Sequence, residues 1–139
     1  MKDRDEFYII DLCDRVLGIK AKRQHRFDFL RGDSGRKLPV DAYYEISKDL
    51  KLVVEYREMQ HTETVAFFDR RMTCSGCNRA QQRKLYDQKR RDVLPQHGIS
   101  LIELDYTSFQ HDKQRRLKRS SVGDEEVIRK KLIKFLPST

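Results

Sequence analysis

Two stretches of strand-like sequence, LPVDAYYEI (residues 38–46) and LKLVVEYR (residues 50–57), have only SKD between them. So short a connection joins neighbouring antiparallel strands, because a parallel pair needs a crossover of about a dozen residues or more. The first run alternates, with Val40, Ala42 and Tyr44 on one face and Asp41, Tyr43 and Glu45 on the other. The second opens apolar and closes on the charged and amide residues of REMQH. Either it frays into solvent there or it delivers polar groups to a site. Centred on Lys48, the turn sets Asp41 seven residues before it and Glu55 seven residues after. In that register the two carboxylates share a face, with Cβ atoms about 5 Å apart. A slip of one residue would send them to opposite faces.

The other segments supply neighbours for this hairpin. Residues 3–17, DRDEFYIIDLCDRVL, place apolar side chains at helical spacing and meet Gly18, a suitable C-terminal stop. RFDFL (residues 26–30) alternates like a strand and runs into the turn sequence RGDSGRK. Asn78 can cap a long basic helix, RAQQRKLYDQKRRDVLPQH, closed by Gly98. ISLIELDY (residues 99–106) has the composition of a buried strand, and FQHDKQRRLKRSS reads as loop or frayed helix with little apolar support. Residues 124–136 carry acids first and lysines later, with a stripe of Ile128, Leu132, Phe135 and Leu136 before Pro137.

The order helix, three strands, helix, strand, helix predicts an α/β fold. Its mixed sheet would be an antiparallel hairpin plus a parallel strand after a crossover helix, flanked by helices. One domain over residues 1–139 is expected, with a core of about 26–106, a basic segment 110–121 and a helix 124–136.

Charge narrows the partners. Thirty Lys and Arg stand against 22 Asp and Glu, a net +8. That favours a polyanion, with nucleic acid ahead of a membrane surface, although a merely basic surface has the same composition. No run has transmembrane length, MKDRDEFYII lacks the apolar stretch of a signal peptide, and three cysteines do not make a disulfide framework. A cytoplasmic protein is expected.

Facing carboxylates repel unless a cation sits between them. A hard divalent ion such as Mg²⁺ is held by one or two carboxylates, water and phosphate oxygens. Beside a basic surface, that chemistry suits phosphodiester hydrolysis, in which the ion positions water and neutralises charge on the phosphate. A solvated Asp and Glu on neighbouring strands is the plain alternative.

The run RFDFLRGDSGRKLPVDAYYEISKDLKLVVEYREMQH, followed by QQRKLYDQKRRDVLPQHGISLIELDY, resembles the PD-(D/E)XK, restriction-endonuclease-like nuclease superfamily. It is most similar to small members with very-short-patch-repair-like or homing-endonuclease-like cores, over roughly residues 26–106. The resemblance rests on a strand carrying Asp, a strand of apolar, apolar, Glu, aromatic ending in Gln-His, a basic helix with Asp, and a strand after HGI.

The resemblance implies Asp41 and Glu55 as metal carboxylates, the Tyr56 backbone carbonyl as a further ligand, and Mg²⁺ or Mn²⁺ as cofactor. An acid from the preceding helix can join them; Glu6 is the nearest candidate, with a solvated helix face as its other reading. The position two after the Glu, usually Lys, is Arg57. Arginine stays protonated, so Arg57 can grip a phosphate but cannot accept a proton. Gln60 would orient the attacking water and His61 would take its proton, unless His61 only bonds a loop.

On the long helix, Arg79, Arg83, Lys84, Lys89, Arg90 and Arg91 recur on overlapping faces and could contact DNA phosphates, making binding salt-dependent. Asp87 is expected to pair with Arg83 and Arg91, and Leu85, Tyr86, Val93 and Leu94 to dock the helix. Cys74 and Cys77 have the spacing of half a zinc ribbon, but no second cysteine pair exists, so free thiols are expected over structural Zn²⁺.

The expected activity is a metal-dependent DNA endonuclease or nickase. The alternatives are a nuclease-fold DNA-binding module inactivated at Arg57, and a zinc-stabilised interaction domain built on Cys74 and Cys77. Cleaving both strands would need two sites, which a homodimer would supply.

Overall fold

The computed structural model describes residues 4–32, 34–57 and 79–136. Its elements are α1 (Asp5–Leu17), β1 (Lys22–Arg31), β2 (Lys37–Ser47), β3 (Leu50–Arg57), α2 (Arg79–Gln96), β4 (Ile99–Asp105) and α3 (Ser121–Lys131). Short 3₁₀ turns follow β4 at Tyr106–Ser108 and α3 at Ile133–Phe135. The sheet runs in the order β1-β2-β3-β4, antiparallel through β3 and parallel between β3 and β4. The fold is therefore the expected α/β arrangement, a mixed four-stranded sheet flanked by three helices.

The hairpin pairs Ala42 with Val54, Tyr43 with Val53 and Tyr44 with Leu52. Continued by one residue, that register sets Asp41 against Glu55; the turn closes on Ser47 against Leu50, one residue out of step, and an irregularity between Glu45 and Ser47 restores the register. β3 is the central apolar strand, and its alternation feeds two cores. Leu52, Val54 and Tyr56 join the α1 residues Ile9, Ile10, Leu12, Cys13 and Val16 with Ile128 and Leu132. Val53 joins Tyr43, Leu94, Ile99 and the β1 residues Phe27 and Leu30. Burying each such Val or Leu contributes about 1.5–3 kcal/mol, so β3 is held firmly from both faces.

Local sequence sets the element ends. Gly18 adopts φ 74° and its N–H bonds the Asp14 carbonyl at 2.8 Å, which closes α1. Gly98, at φ 72°, turns the chain from α2 into β4. Gly32 has no side chain because a Cβ there would lie 2.8 Å from the Tyr86 hydroxyl, where α2 crosses the β1 end.

Several expectations change. β1 begins at Lys22 rather than Arg26, because pairing with Ala42 and Tyr43 carries polar residues into the sheet. Val40 packs with Tyr43 and Leu38, not with Ala42 and Tyr44. Tyr106 leaves the strand for a 3₁₀ turn. The C-terminal helix spans Ser121–Lys131 and tightens into the 3₁₀ turn Ile133–Phe135, which still buries Phe135. Leu85 does not dock α2 but is 59% exposed, whereas Leu94 is fully buried and Tyr86 and Val93 pack against the second core.

The basic segment before α3 has more support than its sequence suggests. Phe109 and Leu117 are buried. Asp5 accepts from the Leu117 N–H at 2.9 Å and from two nitrogens of Arg119 at 3.1 and 3.2 Å. Buried Asp124 accepts from the Tyr8 hydroxyl at 2.5 Å and the Ser120 N–H at 3.0 Å, tying α3 to α1.

Candidate active site

The β2–β3 backbone ladder ends at Ala42 and Val54. Immediately beyond, two side chains reach across between the strands. The Asp41 N–H donates to Glu55 Oε2 at 2.5 Å, and the Tyr56 N–H donates to Asp41 Oδ2 at 2.8 Å. Carboxylates here take amide donors of the opposite strand, so both are fixed by backbone as well as by rotamer. Glu55 is only 2% exposed.

Burial, followed by the charge of Asp41, pushes the Glu55 carboxyl up to about 7, with Arg90, the Asp41 amide and Arg57 opposing. Burial also raises Asp41, against the Tyr56 amide and Arg57. Near neutral pH the pair therefore retains protons more readily than free carboxylates do, and any cation that replaces those protons is favoured.

Two residues extend the site from the α1 side. Gln24 Nε2 donates to Glu6 Oε2 at 3.1 Å and reaches Asp41 Oδ1 at 3.4 Å. Glu6 is buried rather than on a solvated helix face, and Gln24 links it to Asp41. Gln24 itself sits at φ 51°, the left-handed region, inside β1. Such a conformation costs a non-glycine residue about 1–3 kcal/mol and persists where its surroundings fix it. Its neighbour Arg23 is anchored to Asp11 at 2.6 Å and Asp14 at 3.0 Å, which does so.

On the α2 side the charges alternate. Arg57 Nη1 lies 3.0 Å from Glu55 Oε1, and its Nη2 lies 3.1 Å from Asp87 and 3.5 Å from Glu103. Asp87 also bonds Arg90 at 3.1 Å, while Arg91 grips both oxygens of Glu103 at 2.6 and 2.8 Å. Arg91 thus goes to Glu103 rather than to the expected Asp87. Around the pair, the guanidinium groups of Arg57, Arg90 and Arg91 interleave with the carboxylates of Glu55, Asp87 and Glu103.

The structure thus brings together Asp41, Glu55, Arg57 and Glu6. It turns Arg90 inward to 12% side-chain exposure, leaves Arg83 and Lys84 exposed, and keeps Lys89 half-buried. Gln60, His61, Cys74 and Cys77 lie outside the described residues, as does the Arg79 side chain. Gln24 and Glu103 join the site without any expectation from the sequence, which marked Asp87 only as a partner for Arg83 and Arg91. A signal existed for Glu103, which stands beside Glu55 in the parallel register that the strand order implies. None existed for Gln24, because its backbone angle is set by its neighbours.

Among the described residues no group of three or more His, Cys, Asp or Glu converges as a metal site. The donor set still suits a hard divalent ion, which takes one or two carboxylates and fills its remaining positions with water and phosphate oxygen. Also among the described residues, no helix is long and apolar enough to cross a membrane. No protein-family model, curated protein or solved structure matches the chain at a significant level.

Proposed function

We propose that the protein is a metal-dependent DNA endonuclease or nickase of the restriction-endonuclease-like kind. The observation that carries this reading is the Asp41–Glu55 pair, with Glu55 buried and Asp41 half-buried, cross-bonded through the Asp41 and Tyr56 amides. Asp41 and Glu55 would hold Mg²⁺ or Mn²⁺, aided by the Tyr56 carbonyl, with Glu6 joined through Gln24. When bound, such an ion activates water and offsets charge on the scissile phosphate. Arg57, always protonated, would bind that phosphate while its ion pairs to Asp87 and Glu103 hold it in place. Gln60 and His61 would orient the water and accept its proton. Exposed Arg83 and Lys84 would meet backbone phosphates, which position the protein without reading sequence.

One observation favours a second reading, a DNA-binding module without cleavage. Arg57 already lies against Glu55 at 3.0 Å, so an internal cation can stand where a metal would. Supercoiled and linear DNA incubated with Mg²⁺ or Mn²⁺ separates the two. The nuclease reading expects nicking or cutting that Asp41→Ala and Glu55→Ala abolish. Binding without cleavage under either metal supports the module, and cleavage that survives both substitutions overturns the assigned site.

A further inference from the structure

The sequence places Arg90 in a basic stripe with Arg83 and Lys84, yet its side chain is turned into the protein where theirs are exposed. Its Nε and Nη2 donate to the Pro39 carbonyl at 3.2 and 2.9 Å, and its Nη1 donates to Asp87 at 3.1 Å. Its Nε also lies 3.6 Å from Glu55. Pro39 precedes Asp41 by two residues and lies beyond the end of the β2–β3 ladder at Ala42 and Val54. An α2 side chain therefore serves β2's carbonyl at the point where the two carboxylate strands part.

We propose that Arg90 is a positioning residue, a wedge from α2 that holds β2 and β3 apart at Asp41 and Glu55, and not a phosphate contact. The planar guanidinium can bond Pro39 and Asp87 at once because its donors form a rigid fork, which a lysine ammonium lacks. Asp87 in turn forms an ion pair with Arg57, which links the wedge to the phosphate-binding arginine beside Glu55. Along its length the helix thereby divides into an exposed early stretch for nucleic acid, with Arg83 and Lys84, and a later, packed stretch, with Asp87 and Arg90, that sets the carboxylates. This inference rests on the nuclease reading only for its consequence in catalysis; the wedge itself is a claim about the strands.

The test compares the full chain with Arg90→Met, which keeps the aliphatic stem, and Arg90→Lys, which keeps charge without the fork. An Arg83→Ala, Lys84→Ala double variant serves as the comparison. DNA affinity is measured across salt concentrations in EDTA, and amide exchange is followed at residues 39–42 and 54–57. Both Arg90 variants are expected to keep the wild-type affinity and salt slope while exchange at the Asp41 and Tyr56 amides quickens. Cleavage at saturating DNA with Mn²⁺ should fall roughly tenfold to a hundredfold, the scale of a misaligned site. The double variant should instead bind more weakly, with a salt slope flatter by about 2. Loss of affinity and slope in Arg90→Met with unchanged exchange overturns the proposal, and so does wild-type exchange with wild-type cleavage. Should Arg90→Met fail to fold, Arg90→Lys decides by the same readings. If the wild type cleaves with neither metal, the nuclease reading falls, while the exchange data still settle the wedge.

Discussion

Asp41 and Glu55 lock each other's strands. The amide of Asp41 donates to the Glu55 carboxylate, and the Asp41 carboxylate accepts from Tyr56, the residue after Glu55. Each side chain does for the opposite strand what a backbone carbonyl does in a ladder. The arrangement places two acids side by side in a site where one is almost fully buried, which disfavours charge on both.

That tension gives a pH signature. Glu55 is raised from 4.5 to about 7, and Asp41 is raised as well. A carboxyl with a raised folded pKa adds stability that is present below its unfolded value and lost as pH climbs through the folded one. The metal-free protein should therefore lose stability between about pH 5 and pH 8, on the order of 2 kcal/mol. Glu55→Gln should flatten that slope and be the more stable chain at the alkaline end. Urea melts in EDTA across the range check this; an equal slope in both proteins would contradict it.

Gln24 offers a test of strain for position. Gln24→Gly relaxes the left-handed backbone, whereas Gln24→Ala keeps it and removes the amide. The glycine variant should be more stable than the alanine variant by about 1 kcal/mol. Both should bind Mn²⁺ more weakly than wild type, because the link between Glu6 and Asp41 is gone in each. Thermal melts and metal titrations on the same samples give the two readings, and metal affinity that follows stability would speak against a positioning role.

The tie between α1 and α3 is a matter of stability alone. Tyr8→Phe deprives buried Asp124 of its hydroxyl donor and, among the described residues, leaves it the Ser120 amide. A cost of about 1–3 kcal/mol is expected, measured by denaturant unfolding, with DNA affinity unchanged. A neutral substitution would show that Asp124 is solvated in solution.

Gly32→Ala probes the docking of α2. The new methyl would meet the Tyr86 ring and Leu38, forcing the helix outward. Destabilisation of about 1–3 kcal/mol is expected from overpacking, and Tyr86→Ala in the same chain should recover part of it. Additive losses in the double variant would place the strain elsewhere.

How far the sequence shows all this depends on the range of the forces involved. The hairpin was legible because so short a turn joins antiparallel strands, but the register that turns Asp41 toward Glu55 also needs the irregularity between Glu45 and Ser47, which no local signal marks. The helix ends at Gly18 and Gly98 were legible because left-handed backbone favours glycine. The same conformation at Gln24 was not, since long-range partners hold it there. The inward turn of Arg90 was hidden for a similar reason. Arg90 and Arg91 are adjacent in sequence, but one turns to Pro39 and the other to Glu103 across the sheet. Nor could composition show that Asp5 would order the basic segment by capturing Leu117 and Arg119.

The central claim is that Asp41 and Glu55 form a divalent-metal site, and a calorimetric Mn²⁺ titration tests it most directly. It is run on the full chain at a pH above the Glu55 transition near 7. The account expects saturable binding by the wild type that Asp41→Asn and Glu55→Gln each remove while the protein stays folded. Saturable binding that survives both substitutions, or none in the wild type, would contradict it.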